Sequence, residues 1–133
     1  SHPEFGQGFI TQFPEHQVML RGSPDHIAQM MDKLLDNAMD FCAADQPVSL
    51  SLSVWHRQAI IKVMNIGRTL PEGIQERLFD PMISLRQTGA DRSHLGMGLY
   101  IVRLIANAHG GTVMARNNEA GNGVVFEVRL PLQ

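Results

Sequence analysis

SHLGMGLYIVRLIANAHGG, residues 93–111, joins a glycine turn to the start of an apolar helix, and the rest of the chain is organised around that junction. Gly96 and Gly98 bracket Met97 where the helix begins. Leu99, Ile101, Val102, Leu104, Ile105 and Ala108 then recur at helical spacing until Gly110 and Gly111 stop it. A helix start leaves backbone N–H groups without partners and carries partial positive charge, so it suits an anion such as phosphate once glycine clears the side chains. The turn differs from two familiar phosphate loops. The third glycine of a G-x-G-x-x-G fingerprint would fall on Ile101, and no G-x-x-x-x-G-K-[ST] stretch occurs. On its own it is equally compatible with a turn that lets a helix pack closely.

Working outward, residues 83–95 hold no sustained period and read as a long loop of the kind that acts as a lid. Further back, Ser23-Pro24-Asp25 offers an N-cap, a proline at the first helical position and an acid in the first turn. The helix it starts carries Ile27, Met30, Met31, Leu34, Leu35, Ala38, Phe41 and Cys42 on one face. Beside that stripe Gln29, Lys33 and Asn37, spaced by four, stack along one edge, with Asp40 a turn on. A solvated edge is the plain reading, but Asn37 is a mediocre helix former in mid-helix. Residues 48–55 alternate between Val48, Leu50, Leu52, Val54 and three serines, and 59–64 form the second arm of a hairpin. That arm runs into Asn65-Ile66-Gly67, a polar and glycine break at a strand end, where ligand sites often lie. A short helical turn over 72–78 follows. Residues 112–116 and 123–130 make a closing hairpin, and 9–13 and 17–20 are predicted as two short opening strands.

The order of elements predicts an α+β fold, a two-layer sandwich with a mixed, mostly antiparallel sheet covered on one face by helices. With 133 residues the chain is expected to be a single domain, with 1–8 a linker or tag remnant. A net charge of −2 with scattered basic residues argues against nucleic acid as a ligand. The single Cys42 cannot form an internal disulfide, and no apolar run approaches the roughly 20 residues of a membrane span.

Four blocks in order resemble the catalytic ATP-binding domain of sensor histidine kinases, in the superfamily shared with gyrase, mismatch-repair and chaperone ATPases (the Bergerat fold). QMMDKLLDNAMDF, 29–41, resembles the N box and NIGRTLPEGI, 65–74, the G1 box. RLFDPMIS, 77–84, resembles the F box and SHLGMGLYIVRLIANAHGG, 93–111, the G2 box with its helix. The resemblance implies ATP and Mg²⁺ as ligands, with Asn37 as the magnesium ligand and Asn37 and Lys33 at the catalytic end, the Lys33 ammonium neutralising phosphate. It implies that His94, Leu95, Gly96, Met97, Gly98 and Leu99 line the phosphates. Asn65 stands where an aspartate accepts the adenine amino proton, Gly67 lets the backbone approach the ring, Phe41 flanks the base, and Ile66, Leu70, Leu78 and Ile101 add apolar walls.

Four positions depart from the family pattern. Lys33 replaces an asparagine, or the water-activating glutamate of the hydrolysing relatives, which disfavours hydrolysis. Asp40 replaces a basic residue, Asn65 the aspartate, and Thr69 the second G1 glycine. No histidine sits in a setting like the family's phosphoacceptor box. The resemblance therefore implies a domain that donates the γ-phosphoryl group to a histidine on separate dimerisation helices, in a homodimeric parent that signals to a response regulator receiver domain. It implies a cytoplasmic site, the parent anchored in the inner membrane, and no direct membrane contact by this domain. The alternative is a nucleotide-sensing module that binds ATP or ADP without phosphotransfer.

Overall fold

The computed structural model describes residues 9–81 and 97–133. The expected linker at 1–8 and the lid at 83–95 lie outside the described residues. Five strands, β1 Phe9–Gln12, β2 Val48–Trp55, β3 Gln58–Ile66, β4 Thr112–Asn117 and β5 Gly123–Pro131, form one sheet in the order β1-β2-β3-β5-β4. Helix α1, Pro24–Phe41, precedes β2, and helix α2, Met97–Ala108, precedes β4. The sheet is mixed: β1 runs parallel to β2, and every other pairing is antiparallel.

Two expectations change. Residues 17–20 are not a strand; only Leu20 bridges, to Leu132. The chain thus passes from β1 through α1 before returning as β2, and a crossover of that length permits the parallel pairing. Residues 72–78 are not a helix either. Their bonds are i to i+3, Ile74 N–H to Pro71 O at 3.3 Å and Arg77 N–H to Ile74 O at 3.0 Å, and Gly73 at φ 83° interrupts any helical run.

Helix α1 starts as its cap residues require. Ser23 is extended (φ −93°, ψ 116°), and its hydroxyl accepts the His26 N–H at 3.3 Å. Met30, Leu34, Ala38 and Phe41 from α1, with Leu99, Val102, Ile105 and Ala106 from α2, bury against the alternate residues of the central strands, among them Val63, Val124, Phe126 and Val128. Helix α2 closes through Gly110 at φ 78°, with Gly111 N–H on Ala106 O at 2.8 Å and Gly110 N–H on Asn107 O at 3.0 Å, a Schellman closure. His109, expected to be a plain C-terminal helix residue, ties the two helices together. Its Nε2 accepts the Ser23 N–H at 3.2 Å while Nδ1 lies 2.7 Å from Ile105 O. A backbone N–H only donates and a carbonyl only accepts, so the ring is neutral with its proton on Nδ1. A side chain at Gly22 would occupy the space of that ring. Among the described residues no helix is long and apolar enough to cross a membrane.

The sheet face away from the helices carries a buried acid. Glu127, 2% exposed on β5, accepts from Arg129 Nε at 2.6 Å and from Arg116 Nη1 at 3.0 Å. Burial works against its charge, but the hydrogen bonds from Arg129 and Arg116, with their positive charge, outweigh it and hold the carboxyl below its ordinary value of 4.5. A carboxyl lowered by folding stabilises above its unfolded pKa and loses that contribution as pH falls through the folded one. Glu127→Gln is expected to cost about 1–3 kcal/mol at pH 7. Thermal melts of both proteins from pH 7 to 3 should show the gap closing below about pH 4.5; a gap that persists in acid would mean the carboxylate charge is not its source.

Candidate functional site

The helix-facing end of β3 carries the site's most unusual side chain. Asn65 is wholly buried, in register between Val48 on β2 and Val124 on β5. Neither its Oδ1 nor its Nδ2 has a hydrogen-bond partner. Leaving such a group unpaired costs about 1–3 kcal/mol, so a side chain of this kind points to a ligand that meets it.

After Asn65 the chain folds back onto the end of α1. Ala43 N–H donates to Ile66 O at 2.7 Å, Arg68 N–H to Phe41 O at 3.0 Å, and Gly67 N–H to Asn122 O at 2.8 Å. Gly67 adopts φ 155°, and a Cβ there would overlap Phe41 O and press on Ala43 N at 2.6 Å. The close approach that requires glycine is thus to the α1 terminus. Arg68 Nη2 donates to Asp40 O at 3.0 Å, and its guanidinium lies 5.3 Å over the Phe41 ring. Phe41 itself is 3% exposed and tilted against Phe126 at 6.2 Å, which puts it within the core. Leu70, Leu78 and Leu99 share that cluster, with Ile101 packed against it; Ile66 is half-buried.

The polar edge of α1 meets the start of α2. Asn37 Nδ2 donates to Lys33 O at 2.9 Å, so the amide nitrogen is committed to its own helix and Oδ1 is the atom left for a ligand. A Cβ on Gly98 would lie 3.1 Å from Asn37 Nδ2 and 3.9 Å from Lys33 Cδ. The glycine therefore seats the first turn of α2 against Lys33 and Asn37. The structure brings Lys33, Asn37, Gly98 and Leu99 to one place, with Met97 beside them, half exposed. Asn65, Ile66, Gly67 and Leu70 sit at the other end of α1, joined to it through Phe41. His94, Leu95 and Gly96 lie outside the described residues. Among the described residues no group of three His, Cys, Asp or Glu could hold a metal. A hard cation here would take its remaining oxygens from a ligand's phosphates, which suits Mg²⁺ and the amide oxygen of Asn37.

Two supports escaped the sequence reading. Asn117, at the end of β4, clamps Leu70 from both sides: its Oδ1 accepts Leu70 N–H at 2.7 Å and its Nδ2 donates to Leu70 O at 3.1 Å. Asn122, whose carbonyl holds Gly67, is fixed by Asn118 through bonds of 2.8 and 2.9 Å. In the sequence both asparagines look like ordinary turn chemistry. Asn117→Ala is expected to destabilise the domain by about 1–2 kcal/mol and to loosen the turn at 67–70. Amide hydrogen exchange should show selective loss of protection at Leu70; unchanged protection there would remove Asn117 from this role.

Residues 22–133 match the model of the histidine kinase-, DNA gyrase B- and HSP90-like ATPase family. The chain belongs to this family. It corresponds to the ATP-binding domain of sensor histidine kinases. It is 38% identical over 129 residues to the sensor protein CutS of Streptomyces coelicolor, covering 95% of this chain and 31% of that protein. It is 34% identical over 126 residues to the sensor protein DivL of Caulobacter vibrioides, covering 95% and 16%. The chain thus spans under a third of the length of these relatives. Among solved structures, the catalytic domain of the histidine kinase ThkA superposes with a TM-score of 0.79 at 25% identity, over 94% of this chain and 80% of that one. The mycobacterial sensor histidine kinase MprB superposes with 0.85 at 17% identity, over 97% and 86%, which shows the shared fold. The α+β sandwich and the kinase-type domain are thereby shown.

Proposed function

We propose that this domain binds Mg-ATP between α1 and the start of α2 and donates the γ-phosphoryl group to a histidine on separate dimerisation helices of its parent protein. The observation that carries the reading is Gly98 against the Asn37 amide, which sets a helix N-terminus beside a side-chain oxygen suited to magnesium. The residues fit the group: Asn37 Oδ1 would hold the cation, Lys33 would add positive charge, and the Gly98 and Leu99 N–H groups would face the phosphates. Asn65 would take the purine edge. Magnesium supplies neutralisation of the polyphosphate. Among the described residues no side chain is placed as a base toward water, so this chain's contribution is positioning and charge. The parent is then a homodimer whose phosphorylated histidine serves a response regulator, working in the cytoplasm.

Titrating ATP, ADP and a non-hydrolysable analogue, with and without Mg²⁺, is expected to raise the melting midpoint. At a ligand concentration a hundredfold above Kd the stabilisation is about 2.7 kcal/mol. No shift with any of them would sink the reading. Adding purified histidine-bearing dimerisation helices and labelled ATP then separates phosphotransfer from plain nucleotide sensing; bound nucleotide with an unlabelled histidine would favour a sensing module.

A further inference from the structure

Both polar atoms of Asn65 are unspent, and this fixes which bases the site can take. We infer that Asn65 opens the pocket to 6-oxopurine nucleotides as well as to adenine nucleotides; the inference rests on the purine-nucleotide reading above. The edge of adenine at positions 1 and 6 offers an acceptor, N1, and a donor, the 6-amino group. The same edge of a 6-oxopurine reverses them: N1–H donates and O6 accepts. A primary amide carries one acceptor and one paired donor, and a half-turn about its last bond exchanges their places. It can therefore meet either edge with two hydrogen bonds.

That half-turn is free only if the protein does not fix the amide. Asn37 and Asn117 are fixed, through the Lys33 carbonyl and both backbone atoms of Leu70. Asn65 has no such anchor on either atom, although it is wholly buried. Its backbone, in contrast, is held rigidly between β2 and β5, with Gly123 bringing β5 against the Asn65 carbonyl. The result is a fixed position with a reversible hydrogen-bonding sense. A carboxylate at the same place could only accept. It would take the 6-amino group of adenine and oppose O6 with an unpaired buried charge. The side chain at position 65 is thus a specificity-determining residue for the 6-position of the purine.

ATP and inosine triphosphate differ only along this edge, which makes the pair the probe. Calorimetric titration of the 133-residue domain with each, in the presence of Mg²⁺, is expected to give dissociation constants within about tenfold of one another, because each loses at most a fraction of one buried hydrogen bond. Asn65→Asp is expected to keep ATP and widen the discrimination against inosine triphosphate at least about tenfold beyond wild type. If the wild-type domain binds ATP but disfavours inosine triphosphate by more than about tenfold, the inference fails while the nucleotide reading stands. If neither nucleotide binds, both fail. Equal discrimination in the wild type and Asn65→Asp also overturns it, since another residue would then read the 6-position. Should the aspartate variant not fold, the wild-type ratio decides alone.

Discussion

Replacing Asn37 by alanine is expected to abolish the magnesium-dependent part of nucleotide affinity, a loss on the order of a hundredfold, while leaving the fold as stable as before. The two halves of that expectation come from different atoms. The Asn37 Nδ2 bond reaches only Lys33 O, one turn back on the same helix, so removing it affects no tertiary contact. A half-exposed hydrogen bond of that kind contributes about 0.5–1.5 kcal/mol, and alanine's better helix propensity returns roughly 0.5. The Oδ1 atom is the one the metal would use, and alanine offers no substitute for it. Nucleotide affinity measured with Mg²⁺ and with a chelator should differ in the wild type and coincide in the variant. A magnesium effect that survives the substitution would mean that the ion is held elsewhere. A large fall in melting temperature would show that Asn37 is structural after all.

Asn37 and Asn65 were legible in the sequence for one shared reason. Each is a polar residue where the local pattern calls for something else, in mid-helix or at the end of an apolar strand, and a misfit against its own period is visible without tertiary information. The two long helices and the four longer strands were legible because their periods extend over many residues and their caps, Ser23-Pro24 and Gly110-Gly111, are local. Asn117 and His109 conform to their surroundings, and their partners are backbone atoms 47 and 86 residues away, which no period encodes. The parallel pairing of β1 was hidden for a related reason. A four-residue strand carries almost no register information, and the alternation of Val18 and Leu20 suggested a hairpin partner that makes only one bridge. Glycine misled in the opposite sense at 67. The resemblance implies that Gly67 opens space for a base, whereas the crowding in the structure is with the chain's own backbone.

That reassignment makes Gly67→Ala the sharpest test of how the site is built. If glycine serves only to admit a ring, alanine should lower affinity and leave the melting temperature alone. The structure predicts the reverse order of effects. A Cβ at 67 would overlap Phe41 O and crowd Ala43 N and Cys42 C, none of which can rotate away as a side-chain tip would. Relieving the overlap means separating the end of α1 from the turn after β3. That puts at risk the bonds from Ala43 N–H to Ile66 O and from Arg68 N–H to Phe41 O. The positive φ adds about 1–2 kcal/mol for any L side chain, and overpacking against fixed backbone about 1–3 more. A total of about 3–5 kcal/mol is a large part of the stability of a domain this size and should lower the melting midpoint by about 10 °C or more. Because Phe41 O and Cys42 belong to the terminus of the helix that carries Asn37, whatever nucleotide affinity remains should fall as a consequence of the displaced helix. Saturating Mg-ATP should then recover part of the lost midpoint by mass action. An unchanged midpoint with selectively weakened binding would return Gly67 to the role of a ring-admitting residue and leave the junction of α1 with β3 dependent on its hydrogen bonds alone.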